Sequence, residues 1–114
     1  MPNNASYVNM KMSEKQFQDL VNKTAKTLGW LHYHPYDSRK STPGFPDLTL
    51  VRERLLFAEL KVGKNKLSQA QRDWRECLER AGQEVYVWYP EDWDDIVSIL
   101  TKRGGQINAQ HSQM

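Results

Sequence analysis

The stretch GFPDLTLVRERLLFAELKVG, residues 44–63, decides how the chain folds. Two apolar runs, FPDLTLV and LLFAELKV, flank the charged triplet Arg52-Glu53-Arg54. Short apolar runs on either side of a brief polar connection predict a β-hairpin. A three-residue loop at 52–54 sets Val51 opposite Leu55, Thr49 opposite Phe57 and Asp47 opposite Glu59. A two-residue loop would slip the register by one and send the two carboxylates to opposite faces. The three-residue register is the one expected here. Because strand side chains alternate, Glu59 and Lys61 then share a face, about 7 Å apart along the strand.

Two carboxylates and an amine therefore converge in the most strand-like part of the sequence. Adjacent like charges raise the free energy unless a cation lies between them. An octahedral Mg²⁺ is commonly held by one or two carboxylates, water and a substrate phosphate. Such an ion could polarise a phosphate and activate a water, with Lys61 orienting that water or stabilising charge on phosphorus. Two further residues are candidates. Glu14 lies three residues before Phe17 and seven before Val21, so on a helix it projects along the apolar stripe that faces the sheet. Gln71 shares a helical face with Trp74 and Leu78 and could meet water, metal ligand or phosphate; closing a capping box is an equal alternative for it.

Working outward, Ser13 followed by Gln16 has the capping-box pattern, and Phe17, Leu20, Val21, Thr24 and Leu28 recur at helical spacing until Gly29. WLHYHPY at 30–36 reads as a short strand and DSRKSTPG as a polar loop. Ser68 and Gln71 repeat the capping pattern ahead of an apolar stripe of Ala70, Trp74, Cys77, Leu78 and Ala81. EVYVWYP reads as a strand and DWDDIVSIL as a final helix. The predicted order is α-β-β-β-α-β-α, an α/β fold with a mixed central sheet flanked by helices. With 114 residues the chain has room for one domain, expected over 13–101, with residues 1–12 and 102–114 as flexible ends.

Composition bounds the rest. Residues are 39% hydrophobic and 26% charged, with a net charge of +2, so a polyanionic partner is permitted but hardly demanded by the total. No apolar run reaches the roughly 20 residues that cross a bilayer, and the first residues lack the apolar stretch of a secretion signal. An intracellular protein with no membrane association is expected. The single cysteine, Cys77, excludes an internal disulfide and is expected to pack as a small apolar residue. Bases concentrate between positions 39 and 66: Arg39, Lys40, Arg52, Arg54, Lys61, Lys64 and Lys66. Arg39, Lys40, Lys64 and Lys66 flank the proposed metal on both sides, and phosphate contact is their expected role.

The segment from GFPD through LLFAELKVGKNKLSQAQRDW to VYVWYP, with SEKQFQ and SRKST upstream, resembles the VRR-NUC (virus-type replication-repair nuclease) family of the PD-(D/E)XK superfamily. The resemblance implies a restriction-endonuclease-like core and a metal-dependent endonuclease that leaves a 5′-phosphate and a 3′-hydroxyl. It further implies that Asp47 and Glu59 bind Mg²⁺ or Mn²⁺ and that the Leu60 carbonyl completes the protein's share of the coordination. Lys61 would be the catalytic lysine, and Glu14 and Gln71 accessory, with Glu14 reaching the metal through water. The chain looks like the stand-alone phage or bacterial type, for which homodimers similar to Holliday junction resolvases are expected. A four-way junction has two-fold symmetry and needs two incisions, which a symmetric dimer would place.

Plainer alternatives accompany each residue. Asp47 could cap local N–H groups, and Glu59 with Lys61 could form an exposed ion pair worth about 0.2–1 kcal/mol. His32 and His34 share a strand face, but structural zinc wants four ligands and no cysteine or third histidine is nearby; His34 is instead expected to approach substrate or the hairpin. The four tryptophans sit on apolar stripes and are expected mostly in the core. The expected activity is cleavage of branched DNA. A flap or restriction-like nuclease and a non-catalytic DNA-binding module are the alternatives.

Overall fold

The computed structural model describes residues 11–35 and 42–103. In chain order it contains α1 (Glu14–Thr27), β1 (Leu31–Tyr33), β2 (Leu48–Val51), β3 (Leu55–Leu60), α2 (Gln69–Arg80), β4 (Glu84–Trp88) and α3 (Trp93–Thr101), with a single 3₁₀ turn at Pro90–Asp92 before α3. This is the predicted order. The four strands lie as β1-β2-β3-β4, antiparallel except for the β3–β4 pair, so the sheet is mixed. A parallel pair needs a crossover, and α2 supplies it. Residue 36 of the predicted first strand, the loop residues 37–41 and the outer parts of both chain ends lie outside the described residues.

Both capping boxes form. Ser13 Oγ accepts from Gln16 N–H while Gln16 Oε1 accepts from Ser13 N–H, and Ser68 with Gln71 repeats the arrangement. The hairpin register is the one expected: Val51 faces Leu55, Thr49 faces Phe57 and Leu48 faces Ala58. Arg52 N–H donates to Arg54 O at 2.9 Å across the three-residue loop.

One face of the sheet, formed by Leu48, Leu50, Leu56, Ala58, Leu60 and Trp88, is sealed by Phe17, Val21 and Ala25 of α1 and by Ile96 and Leu100 of α3. Each Val, Leu, Ile or Phe among them stabilises the fold by about 1.5–3 kcal/mol on leaving water, before entropy is subtracted. The opposite face is only partly covered, because α2 lies against β4 and buries none of its own residues fully. Cys77 is consequently exposed rather than packed, a correction to the sequence reading. α2 packs against β4, whose Val85 and Val87 are half-buried, and Cys77 stays in water. Beyond α2 that face is bare: Leu31 is 74% exposed, Tyr33 62%, Leu55 39% and Val51 38%. Of the tryptophans, Trp30, Trp88 and Trp93 are buried as expected and Trp74 is half-buried.

Arg52 and Arg54 bind the fold together instead of facing a polyanion. Arg54 is 8% exposed and grips Glu84 through two hydrogen bonds of 3.1 and 2.6 Å, while its Nη1 donates to the carbonyls of Ile99 and Lys102. Arg52 donates to Leu28 O at the end of α1 and to Leu100 O and Lys102 O at the end of α3. Both guanidinium groups lie over Trp30, at 4.6 and 5.2 Å from its ring centroid. Cations at two helix C-termini answer unpaired carbonyls and the negative end of the dipole. Burial works against the Arg54 charge, but the hydrogen bond and charge of Glu84 hold its pKa above the ordinary arginine value. Arg54→Ala would remove the ion pair to Glu84 and the donor of the Ile99 carbonyl, while Lys102 O would keep Arg52 and Glu84 would keep only the Tyr86 hydroxyl. A loss of about 3 kcal/mol is expected from urea unfolding, with no change in DNA affinity per folded molecule.

Candidate metal centre

Asp47 precedes β2 by one residue, and extending the observed register places it opposite Glu59. Its carboxylate turns back onto the sheet, where Oδ2 accepts from the Leu60 N–H at 2.8 Å. Glu59 is 5% exposed, an acid in the interior. Burial first, then a hydrogen bond with Asp47 and the Asp47 charge, push its carboxyl up to about 9; Lys61 opposes the shift and Glu14 adds to it. Glu14 is raised in the same way by partial burial and by Asp47, again with Lys61 opposing. Glu14, Asp47, Glu59 and Lys61 thus act on one another electrostatically, as the hairpin register and the helical spacing lead one to expect.

The local structure that brings Asp47 here is visible residue by residue. Gly44 has φ +90°, and a Cβ on it would lie 2.5 Å from the backbone C and O of Ala70, so only glycine lets this loop touch the start of α2. Trp74 Nε1 donates to Pro43 O at 3.1 Å. Phe45 meets Trp74 and Phe57 edge-on at 5.0 and 6.0 Å, and Pro46 is buried. Every residue of the GFPD motif is therefore spent on delivering the carboxylate to the sheet end.

A cleft of about 320 Å³ opens here, lined by Glu14, Lys15, Gln18, His34, Pro35, Asp47 and Leu60. Neither Glu59 nor Lys61 lines it; Lys61 is half-buried just after β3, its amide donating to Trp88 O at 2.9 Å. Gln71 does not line the cleft, and its carboxamide oxygen closes the α2 capping box. Lys64 and Lys66 are exposed in the loop between β3 and α2, which is tethered by the Tyr89 hydroxyl donating to Asn65 O at 2.6 Å. Arg39 and Lys40 lie outside the described residues. His32 is exposed on β1, and no group of three or more His, Cys, Asp or Glu side chains among the described residues is arranged to hold a metal unaided, which leaves the zinc reading without support. Lys15 and Gln18 are cleft residues that the sequence reading did not place, whereas His34 approaches the hairpin at Asp47. Gln18 carried a signal, since it follows Glu14 by four residues and so shares its helical face.

The donor set fits a hard divalent ion. Glu14 and Glu59 each act on Asp47 and Lys61, Glu59 is held largely protonated in the interior, and hard oxygen donors suit a cation that usually takes only one or two carboxylates from protein. No helix among the described residues is long and apolar enough to cross a membrane.

Comparison with known proteins gives the chain a family. A search of curated protein sequences found no match. A solved structure described as a VRR_NUC domain is similar in fold, with a TM-score of 0.62 and 25% sequence identity over 75% of this chain and 94% of that one. The sequence profile of the VRR-NUC domain matches residues 2–91, which takes in α1, the whole hairpin and its acids, α2 and β4. With that match spanning most of the chain, the protein belongs to the VRR-NUC domain family.

Proposed function

We propose that this protein is a divalent-metal-dependent endonuclease that cuts branched DNA as a homodimer. Membership of the VRR-NUC family implies a nuclease of the PD-(D/E)XK type with DNA as its substrate. The observation that carries the metal reading is the buried Glu59 carboxyl beside Asp47, a pair whose repulsion a cation would relieve.

In this reading Asp47 and Glu59 hold Mg²⁺ or Mn²⁺ with the Leu60 carbonyl, and Glu14 contributes through water. Held there, such an ion would supply Lewis-acid polarisation of the phosphate and lower the pKa of a nearby water. Lys61, on the Glu59 face of β3, orients that water and offsets charge growing on the phosphoryl oxygens. Asp47 Oδ2 is already pinned by Leu60 N–H, so the acid is held in place before substrate arrives. Gln71, committed to the helix cap by its oxygen, retains only its amide N–H₂ for a phosphate. Arg39, Lys40, Lys64 and Lys66 contact the DNA backbone.

The dimer follows from the substrate. Two symmetric cuts need two sites, and a second copy has a surface to meet in the bare sheet face. Its inner rows, Leu31-Val51-Leu55 and Tyr33-Thr49-Phe57, carry no charge, which suits another protein chain and not a polyanion.

The test incubates purified protein and Mg²⁺ with labelled four-way junction, flap, single-stranded and duplex DNA, alongside sedimentation equilibrium. Paired symmetric nicks on the junction and the mass of two chains are expected. Preference for a flap or duplex moves the reading to the flap or restriction-like alternative, and failure to nick any of the four leaves a DNA-binding module. Changing Lys64 and Lys66 together to Ala is expected to weaken DNA binding and lower the slope of log K against log salt by about 2.

A further inference from the structure

The cleft contains an imidazole to which the proposed chemistry assigns no task. His34 Nδ1 lies 2.9 Å from the backbone oxygen of Asp47 and 2.6 Å from the side-chain amide of Gln18. A carbonyl oxygen only accepts, so Nδ1 carries the hydrogen and donates it. The Gln18 atom facing Nδ1 is Nε2, itself a donor; a donating Nδ1 requires that carboxamide to be turned over so that Oε1 takes its place, the assignment the Asp47 carbonyl favours. One N–H then serves both groups.

The need for this donor is written into the strand. The β1–β2 ladder ends with Tyr33 opposite Thr49, and in the continuing register the residue facing Asp47 is Pro35. Proline has no N–H to give. The Asp47 carbonyl therefore leaves the ladder without a backbone donor from β1, and the side chain one residue earlier supplies it. Gln18 sits on α1 four residues after Glu14, and both line the cleft with His34 and Asp47.

We propose that His34 is a positioning residue: its Nδ1–H ties the backbone of Asp47 to α1 and thereby sets the spacing between the Asp47 and Glu14 carboxylates. This rests on the reading of Asp47 as a metal ligand. The imidazole touches neither metal nor substrate in this role, and its ring charge does not enter.

Three substitutions separate the possibilities, because an Asn amide nitrogen falls near the position of Nδ1 and a Gln amide nitrogen near that of Nε2. Mn²⁺ binding to the DNA-free protein is followed by calorimetry, and kcat and KM are measured on the cleaved DNA. His34→Ala and His34→Gln are expected to weaken Mn²⁺ binding by about 10–100-fold and to lower kcat with little change in KM, while His34→Asn stays close to the parent. If His34→Gln keeps the parent's behaviour and His34→Asn loses it, the outer nitrogen matters instead and the proposal fails; it also fails if all three bind Mn²⁺ like the parent. The tie has its own readout in the metal-free protein: imidazole ¹⁵N spectra should show Nδ1 carrying the hydrogen, and the opposite tautomer would overturn the proposal. A parent protein that takes up no Mn²⁺ yet shows the Nδ1–H tautomer would retain the tie and sink the metal reading alone.

Discussion

Lys61→Ala should bind DNA as the parent does and cut it at least about 10³-fold more slowly. Its backbone is held independently of its side chain, by the amide donating to Trp88 O, so the substitution leaves the β3–β4 pairing intact. What disappears is the amine that opposes the raised carboxyls of Glu14 and Glu59. Asp47→Asn is the matching change at the metal. Asparagine keeps an oxygen to accept from Leu60 N–H but loses the charge, which separates metal affinity from loop structure better than alanine would. Mn²⁺ uptake and cleavage should both be lost while the melting temperature holds. A Lys61→Ala or Asp47→Asn protein that still cuts at the parent rate would remove these residues from the chemistry.

A second large effect is expected in the metal-free protein as pH rises. The folded Glu59 carboxyl, pushed up to about 9, holds its proton far above the unfolded value near 4.5. Between those values the native state binds one more proton than the unfolded chain, so stability falls with rising pH. The contribution is fully present below about pH 4.5 and is lost progressively through pH 9. A drop of about 2–3 kcal/mol between pH 5 and pH 8 is expected from this group, allowing for relaxation of the site. Glu59→Gln, neutral at every pH and similar in shape, should flatten the profile and exceed the parent in stability at pH 8 in EDTA. Mg²⁺ or Mn²⁺ takes the place of the proton, so saturating metal should stabilise the parent most at high pH and the variant hardly at all. Urea midpoints at pH 5 and 8, with and without metal, give the answer. A parent that gains stability from pH 5 to 8 in EDTA, or a variant with the same slope, would contradict the placement of Glu59 beside Asp47.

The sequence by itself determined the elements and the hairpin register, because both depend on local physics. Two capping boxes start α1 and α2, apolar spacing of 3.6 and 2 separates helices from strands, and a three-residue turn brings Asp47 to the row of Glu59. The acidic pair followed from that register alone. Glu14 required only helical periodicity and a sheet for the helix to cover. What tertiary structure alone decided was where long side chains end. Arg52 and Arg54, read in sequence as part of a basic run, close the C-termini of α1 and α3 over Trp30, because helix ends distant in sequence present unpaired carbonyls at that turn. Cys77 lies on an apolar stripe yet stays in water, since α2 covers only the β4 side of the sheet. His34 reaches Asp47 because Pro35 cannot supply a donor, a deficit that exists only once β1 lies beside β2. Periodicity reports which face a residue takes, whereas the destination of a flexible polar side chain depends on unpaired groups that packing creates.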